Sequence, residues 1–348
     1  MSKKKKIAVV GVYGKGEDFT TGQAVKCMEL IHWLKKEYGK DQVQIVNTYQ
    51  WKKRPFQLFF HLVKAFTDSR NIAMLPAQHG IKVFGPVVCF LNFLFHRNVH
   101  YIVIGGWLPD YLKNHEGMKK KLSSLQGIFV ETKVMEKKLI DMGMKNIHYM
   151  PNFRKTEVGE EAVLLPEQGS LSVCLYSRVT ESKGIEDGIE IVKKSNDLLE
   201  TPVFRLDIYG KTAEEFQPRF QELLRENHSF VRYCGVKEAH EGIETLRKYF
   251  ALLFPSYYEG EGIPGTVLDA FAAGIPVIAN DWKYIREMVN SGENGAVYPF
   301  RRVEIGAKEL VSMYQDVQRY QKLKKGARKS AEYFSTERIL GEYAKYLL

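Results

Sequence analysis

Four cysteines in 348 residues, none near another, leave no room for a disulfide framework, a zinc knuckle or a CxxC redox pair. Cys27, Cys89, Cys174 and Cys234 therefore read as reduced core residues of a cytosolic protein. The nine histidines show no H-x3-H or H-E-x2-H spacing, so no metal site is expected. His79 and His115 fall near expected strand ends and are the only histidines entertained as site candidates, against the commoner role of a plain surface or core residue. No apolar run reaches the ~20 residues of a bilayer span. The longest, 83–95, reads as a core helix. The start MSKKKKIAVVGVYG imitates a signal peptide, but its apolar part covers only 7–12 and a glycine-rich polar loop follows, so a buried first strand is expected. There is no internal repeat and no low-complexity segment. Gly14-Lys15-Gly16 is not a phosphate loop, because no G-x4-G-K-[ST] exists. No G-x-G-x-x-G follows the first strand either, which argues against a nicotinamide dehydrogenase.

What is present is an ordinary globular composition, 45% hydrophobic and 26% charged. The length favours two cores over one. The net charge of +10 is uneven. Residues 1–155 hold 26 Lys and Arg against 11 Asp and Glu; residues 156–348 hold 25 against 30. A basic first half suits an anionic partner, whether nucleic acid, anionic lipid or a phosphorylated substrate, or is simply a solvated Lys-rich surface.

Strand and helix patterns alternate along both halves. Strands are expected at 7–13, 43–49, 71–76, 99–104, 127–130 and 147–150, with helices between them. A polar stretch, 151–169, with two prolines and two glycines interrupts the alternation and is where a domain boundary is placed. Strands restart at 171–177, 203–209, 230–233, 251–254, 276–279 and 296–298; helices are expected at 185–195, 213–226, from 236 to 248, around 282–289, and over 303–320 and onward. Such alternation means α/β architecture with doubly wound parallel sheets, whose ligands bind outside the carboxyl ends of the strands.

Three groups carry chemistry. Arg178 and Lys183 flank a strand-to-helix turn, RVTESK, before Gly184, where two cations would meet a pyrophosphate; alone, the pattern is as readily two surface cations. In 254–281, FPSYYEGEGIPGTVLDAFAAGIPVIAND, an acidic, glycine-rich loop enters a helix. Pro264 suits its first position, and the amides of Gly265 and Thr266 would face an anion. Glu261 and Asp269 could accept hydrogen bonds from hydroxyls, or merely cap a turn and a helix, while Glu259 is read as nearer solvent. Gly22, with Gln23, opens the first helix, where a ligand could press on backbone or a plain cap could stand. Separately, WKKRPFQLFFHLVKAF, 51–66, has the composition of an interfacial amphipathic helix, or of a core helix with a basic outer face.

Together these residues resemble a retaining, nucleotide-sugar-dependent glycosyltransferase of the GT-B fold, in the large group-1 (family 4) class. The class carries an S-R-x4-K-G turn, matched by Ser177-Arg178 and Lys183-Gly184, and two acids separated by seven residues before A-M-A-x-G-x-P-V, matched by Glu261, Asp269 and AFAAGIPV. The segment EGEGIPGTVLDAFAAGIPVIA is similar to that of transferases that build bacterial capsule and exopolysaccharide.

The resemblance implies two Rossmann-like domains facing across a cleft: 1–155 binding the acceptor, 156–330 binding the donor, and a C-terminal helix, 331–348, crossing back to the first domain. It implies that Arg178 and Lys183 hold the diphosphate without a metal, that Glu261 contacts the donor sugar, and that Asp269 binds the ribose. The backbone of Gly262, Ile263, Pro264, Gly265 and Thr266 would line the phosphates. Gly22 would approach from the first domain, and the loops at Gly210 and Val236 would border the base. Asp269 stands where Glu is usual. The histidine many relatives carry after the fourth strand is missing from IVIGGWLPD, leaving Asp110 or a backbone group in its place. No cofactor is implied. The donor would be a nucleoside-diphosphate sugar, UDP-sugar above all, and the acceptor a lipid-linked saccharide or glycan. The expected location is the cytoplasm, with peripheral contact of the basic domain on an anionic membrane and no nucleic-acid partner. The rival class is a basic anion-binding protein on an inactive transferase fold; joint retention of Arg178, Lys183, Glu261 and Asp269 argues against it.

Overall fold

The computed structural model describes residues 5–14, 21–156 and 170–348. Part of Gly14–Gly16 and most of the expected linker therefore lie outside the described residues. The chain divides into two compact units, Met1–Lys155 with Phe334–Leu348, and Thr156–Tyr333.

In the first unit, β1 (Lys5–Gly11), β2 (Val43–Asn47), β3 (Ser69–Met74), β4 (Asn98–Ile102), β5 (Gly127–Val130) and β6 (Ile147–Tyr149) form one sheet. All its pairings are parallel, in the order β2-β1-β3-β4-β5-β6. Residues Ile7 to Val10 are buried, as a strand covered on both faces requires. Right-handed crossovers dictate where the helices go. The step from β1 to β2 runs opposite to the steps from β2 to β3 and β3 to β4. Helix Gly22–Tyr38 thus covers one face, and helices Pro55–Asp68 and Gln78–Phe95 lie together on the other. The last helix, Thr336–Tyr343, packs on Gly22–Tyr38. Arg154 and Phe334 anchor it: Arg154 N donates to Phe334 O at 3.1 Å and Thr336 N to Arg154 O at 2.9 Å. Thr336 Oγ1 also donates to Glu29 Oε2 at 2.7 Å.

The second unit is a sheet of β7 (Leu171–Tyr176), β8 (Phe204–Tyr209), β9 (Val231–Tyr233), β10 (Leu252–Phe254), β11 (Val277–Asn280) and β12 (Gly295–Tyr298). Its order is β12-β11-β10-β7-β8-β9, again all parallel. The chain runs outward from β7 to β9 and then returns to the other side of β7. The loops after β7 and β10 therefore diverge, and a crevice opens between them. The core beneath holds Val173, Leu175, Ile208, Leu253 and Ile278.

Several expected helices differ from those observed. The helix around 282–289 is a single 3-10 turn, Ile285–Glu287, because Lys283 takes a left-handed φ of 50° and cannot continue a helix. The stretch 236–248 forms only two short turns, Ala239–Glu241 and Gly242–Leu246. The run from 303 breaks at Asp316 into Val303–Gln315 and Val317–Tyr333; the Asp316 carboxylate accepts from Arg319 N at 2.9 Å and so caps the second piece. Pro264 is the extended cap (ψ 125°) of helix Gly265–Ala272, not its first residue. The apolar run 83–95 belongs to an 18-residue helix, Gln78–Phe95, long and apolar enough to cross a membrane by length and composition; only part of it is core, since Phe90, Phe93 and Leu94 are exposed.

Candidate active site

The loop leaving β7 carries Arg178 and Lys183; the loop leaving β10 carries Glu261 and leads into helix Gly265–Ala272. Both leave carboxyl ends at the switch point, so residues 78 apart in sequence meet. Lys183 Nζ is ion-paired with Glu261 Oε1, both side chains about seven-eighths buried (12% and 13% exposed). Ser256 Oγ donates to the same Oε1 at 2.8 Å. Backbone ties the two loops: Tyr257 N donates to Ser182 O at 2.9 Å. Gly184 makes that approach possible, for it sits at φ 70° and a Cβ there would lie 2.3 Å from Pro255 O.

Tyr258 faces both cations. Lys183 Nζ lies 4.9 Å and the Arg178 guanidinium 5.8 Å from its ring centroid. Arg178 is exposed. An ammonium has three donors, so Lys183 retains two beyond its bond to Glu261. The loop 258–264 is held from outside by Trp282 Nε1, donating to Tyr258 O at 3.1 Å, and by Lys283, paired with Glu259 at 2.7 Å. Glu259, 72% exposed, is thus occupied on the solvent side.

Behind this loop, Gly262 and Ile263 are buried, and Pro264 leads the amides of Gly265 and Thr266 out of the helix start. Val267 N donates to Pro264 O at 3.1 Å, which tightens the first turn. Asp269, half-buried on the second turn, lies beside Tyr176 at the end of β7, both near Gly242. Burial, and then the Asp269 carboxylate, pushes the Tyr176 phenol well above its ordinary range, so it stays a hydrogen-bond donor. The far wall comes from β8 and β9. Gly210 N donates to Gly235 O at 2.9 Å, Tyr233 Oη donates to Gly210 O at 2.9 Å, and Ser177 N donates to Tyr209 O at 3.1 Å. A Cβ on Gly210 would lie 1.8 Å from Ser177 O, so only glycine permits this closure. Val236 follows, partly exposed.

The second unit thus brings together Arg178, Lys183, Glu261, Asp269 and the 262–266 backbone, with Gly210 and Val236 on loops joined to the same edge. Gly22 belongs to the first unit, where it opens a helix capped by Thr21 Oγ1, which accepts from Ala24 N at 3.3 Å. There Gln23 Nε2 donates to Leu75 O at 2.7 Å. His115 is exposed in the first unit, stacked on Tyr111 at 3.9 Å with Nδ1 2.7 Å from Tyr111 O. His79 is exposed at a helix start, and Asp110 pairs with Lys113 at 3.2 Å. Ser256, Tyr258 and Tyr176 are the additions the sequence reading missed. Ser256 and Tyr258 lie inside FPSYYEGEG, and their place between the end of a buried strand and a glycine-rich loop was the available signal. Among the described residues, no cluster of three or more His, Cys, Asp or Glu is placed to hold a metal.

Two parallel six-stranded sheets with flanking helices define a GT-B fold. Residues 160–330, which include the second unit's site residues, match the family model described as glycosyl transferases group 1. It is 26% identical over 185 residues to the protein named colanic acid biosynthesis glycosyltransferase WcaL of Escherichia coli, covering 51% of this chain and 45% of that one. It is 33% identical over 106 residues to chitobiosyldiphosphodolichol beta-mannosyltransferase of Candida glabrata, covering 30% of this chain and 23% of that one. The chain thus spans less than half the length of these curated relatives. Among solved structures it resembles HepE of Anabaena in complex with UDP, with a TM-score of 0.75 at 13% identity over 98% of this chain and 99% of that chain.

Proposed function

We propose that this protein transfers a sugar, with retention of anomeric configuration, from a nucleoside-diphosphate sugar to a lipid-linked saccharide or glycan acceptor in bacterial surface polysaccharide or glycoconjugate assembly. The observation that carries this reading is the meeting of Lys183, Glu261 and Ser256 at the switch point, with Arg178 over the same Tyr258 ring. As the bond from the anomeric carbon to the phosphate oxygen breaks, negative charge gathers on the departing nucleoside diphosphate. Arg178, Lys183 and the amides of Gly265 and Thr266 are preorganised donors for that charge and make a metal unnecessary. Glu261 accepts from donor-sugar hydroxyls, its carboxylate held by Ser256, and Asp269 accepts from the ribose. Gly210 and Val236 flank the base.

A UDP-sugar is the favoured donor. The reading draws on HepE, solved with UDP, and on WcaL, named for colanic acid biosynthesis. The protein acts in the cytoplasm, in peripheral contact with the inner membrane face, with no cofactor. The test is a screen of UDP-, GDP-, ADP- and dTDP-sugars scored by nucleotide release, with and without membrane extract. Release from one donor that rises with extract supports the reading; no release from any donor points instead to an anion-binding protein on an inactive transferase fold.

A further inference from the structure

We propose that the outer face of helices Pro55–Asp68 and Gln78–Phe95 is a docking surface for an anionic lipid bilayer, lying in the headgroup layer without spanning it. This deepens, and rests on, the peripheral membrane contact read above; its test reads lipid binding and not sugar transfer, so it can fail while the transferase reading stands.

Both helices cover the same face of the first unit's sheet, and each has already buried one stripe there. Leu58, Leu62, Ala65 and Phe66 do so from the first, and Ile81, Phe84, Val88 and Leu91 from the second. The outward side of such a layer is ordinarily polar. Here it is not. Phe56 is 81% exposed, Phe60 69% and Phe93 75%, with Val83, Phe90 and Leu94 beside them. Val83, Phe90 and Leu94 fall at i, i+7 and i+11 on one helix, and Phe56 and Phe60 at i and i+4 on the other, so each set forms one stripe. The helices touch each other, joined at their ends by the Phe66 and Phe95 rings, 6.1 Å apart. Their outward stripes therefore make one patch. Folding does not require these side chains outside; exposed patches of this kind mark interaction surfaces.

Charge selects the occupant. Residues 51–97 hold seven Lys and Arg and a single acid, Asp68. Lys52, Lys53 and Arg54 are exposed just before the first helix, Lys64 on it, and Lys82 on the second. Aromatic side chains ringed by cations match the boundary between anionic headgroups and acyl chains. A spanning reading of Gln78–Phe95 conflicts with its packing, because Ile81, Val88 and Leu91 are fixed in the core beneath.

The test is flotation of the full chain with vesicles of phosphatidylcholine alone and of phosphatidylcholine mixed with phosphatidylglycerol. The wild type floats with the mixed vesicles and weakly or not at all with the neutral ones. Phe60→Ser with Phe93→Ser lowers the partition at least about tenfold, as loss of two buried aromatic groups requires. Lys52→Glu with Lys53→Glu removes the preference for anionic vesicles. Because these side chains are exposed, circular dichroism stays unchanged. The proposal is overturned if the wild type stays off anionic vesicles, or if the phenylalanine variant floats as well as the wild type. It is equally overturned if the patch instead holds a second copy, seen as a dimer that the phenylalanine variant dissolves while flotation persists.

Discussion

Lys183 bonds Glu261 although 78 residues separate them, and Ser256 bonds the same carboxylate oxygen. A cation read as a phosphate ligand and an acid read as a sugar ligand are thus one unit. The pair holds the β7 and β10 loops in register and sets the ammonium where two of its donors remain for a substrate.

Lys183→Ala and Glu261→Ala each lower turnover at least about a hundredfold, the scale of one lost preorganised electrostatic contact. Because the two act together, the double variant loses far less than the product of the single losses. Initial rates of nucleotide release decide it; single variants that turn over like the wild type would exclude both residues from the reaction.

Ser256→Ala leaves Glu261 paired but frees one side of its carboxylate. Removing one such hydrogen bond lowers kcat about five- to tenfold with KM nearly unchanged. A change confined to KM would show that Ser256 binds ligand directly.

Gly184→Ala places a Cβ 2.3 Å from Pro255 O at a left-handed φ. It lowers unfolding free energy by at least about 2 kcal/mol and separates the two loops, so turnover falls as well. Urea midpoints of variant and wild type measure the first effect.

His100 on β4 is 3% exposed, beside His148, and its Nδ1 has no partner. Burial, then the His148 charge, lowers its pKa from 6.5 to about 4. Its folded form is therefore the neutral one. Between pH 6.5 and 4 the unfolded chain binds a proton that the folded chain does not, so stability falls as pH falls through that window. The shift corresponds to about 3 kcal/mol lost by pH 4. The melting temperature of the wild type drops over this range, and His100→Gln flattens the drop; an identical pH profile in the variant would rule the residue out.

On the proposed mechanism a chelator leaves the rate of sugar transfer unchanged, because Arg178 and Lys183 would carry the charge of the leaving group. Loss of activity in EDTA, restored by a divalent cation, would replace this account with a metal-dependent one.

Much of this was legible from local pattern. Alternating apolar strands and helices are short-range features, and the residues 177–184 and 261–277 carry a family pattern that needs no coordinates. Local pattern misread the chain where backbone or long-range contact overrules it. The left-handed Lys283 ends a helix that composition favours, and Asp316 splits another by capping its second half.

By itself, then, the sequence determined two parallel α/β sheets, the cations after one strand and the acids after another, because strand periodicity and loop chemistry are written in consecutive residues. Only the tertiary structure decided which of these groups touch. Strand order places β7 beside β10, so Lys183 meets Glu261 and Ser256. Crossover handedness likewise sets helices 55–68 and 78–95 side by side. Both have more apolar surface than one sheet face can cover, and packing alone selects which phenylalanines go inward and which remain outside.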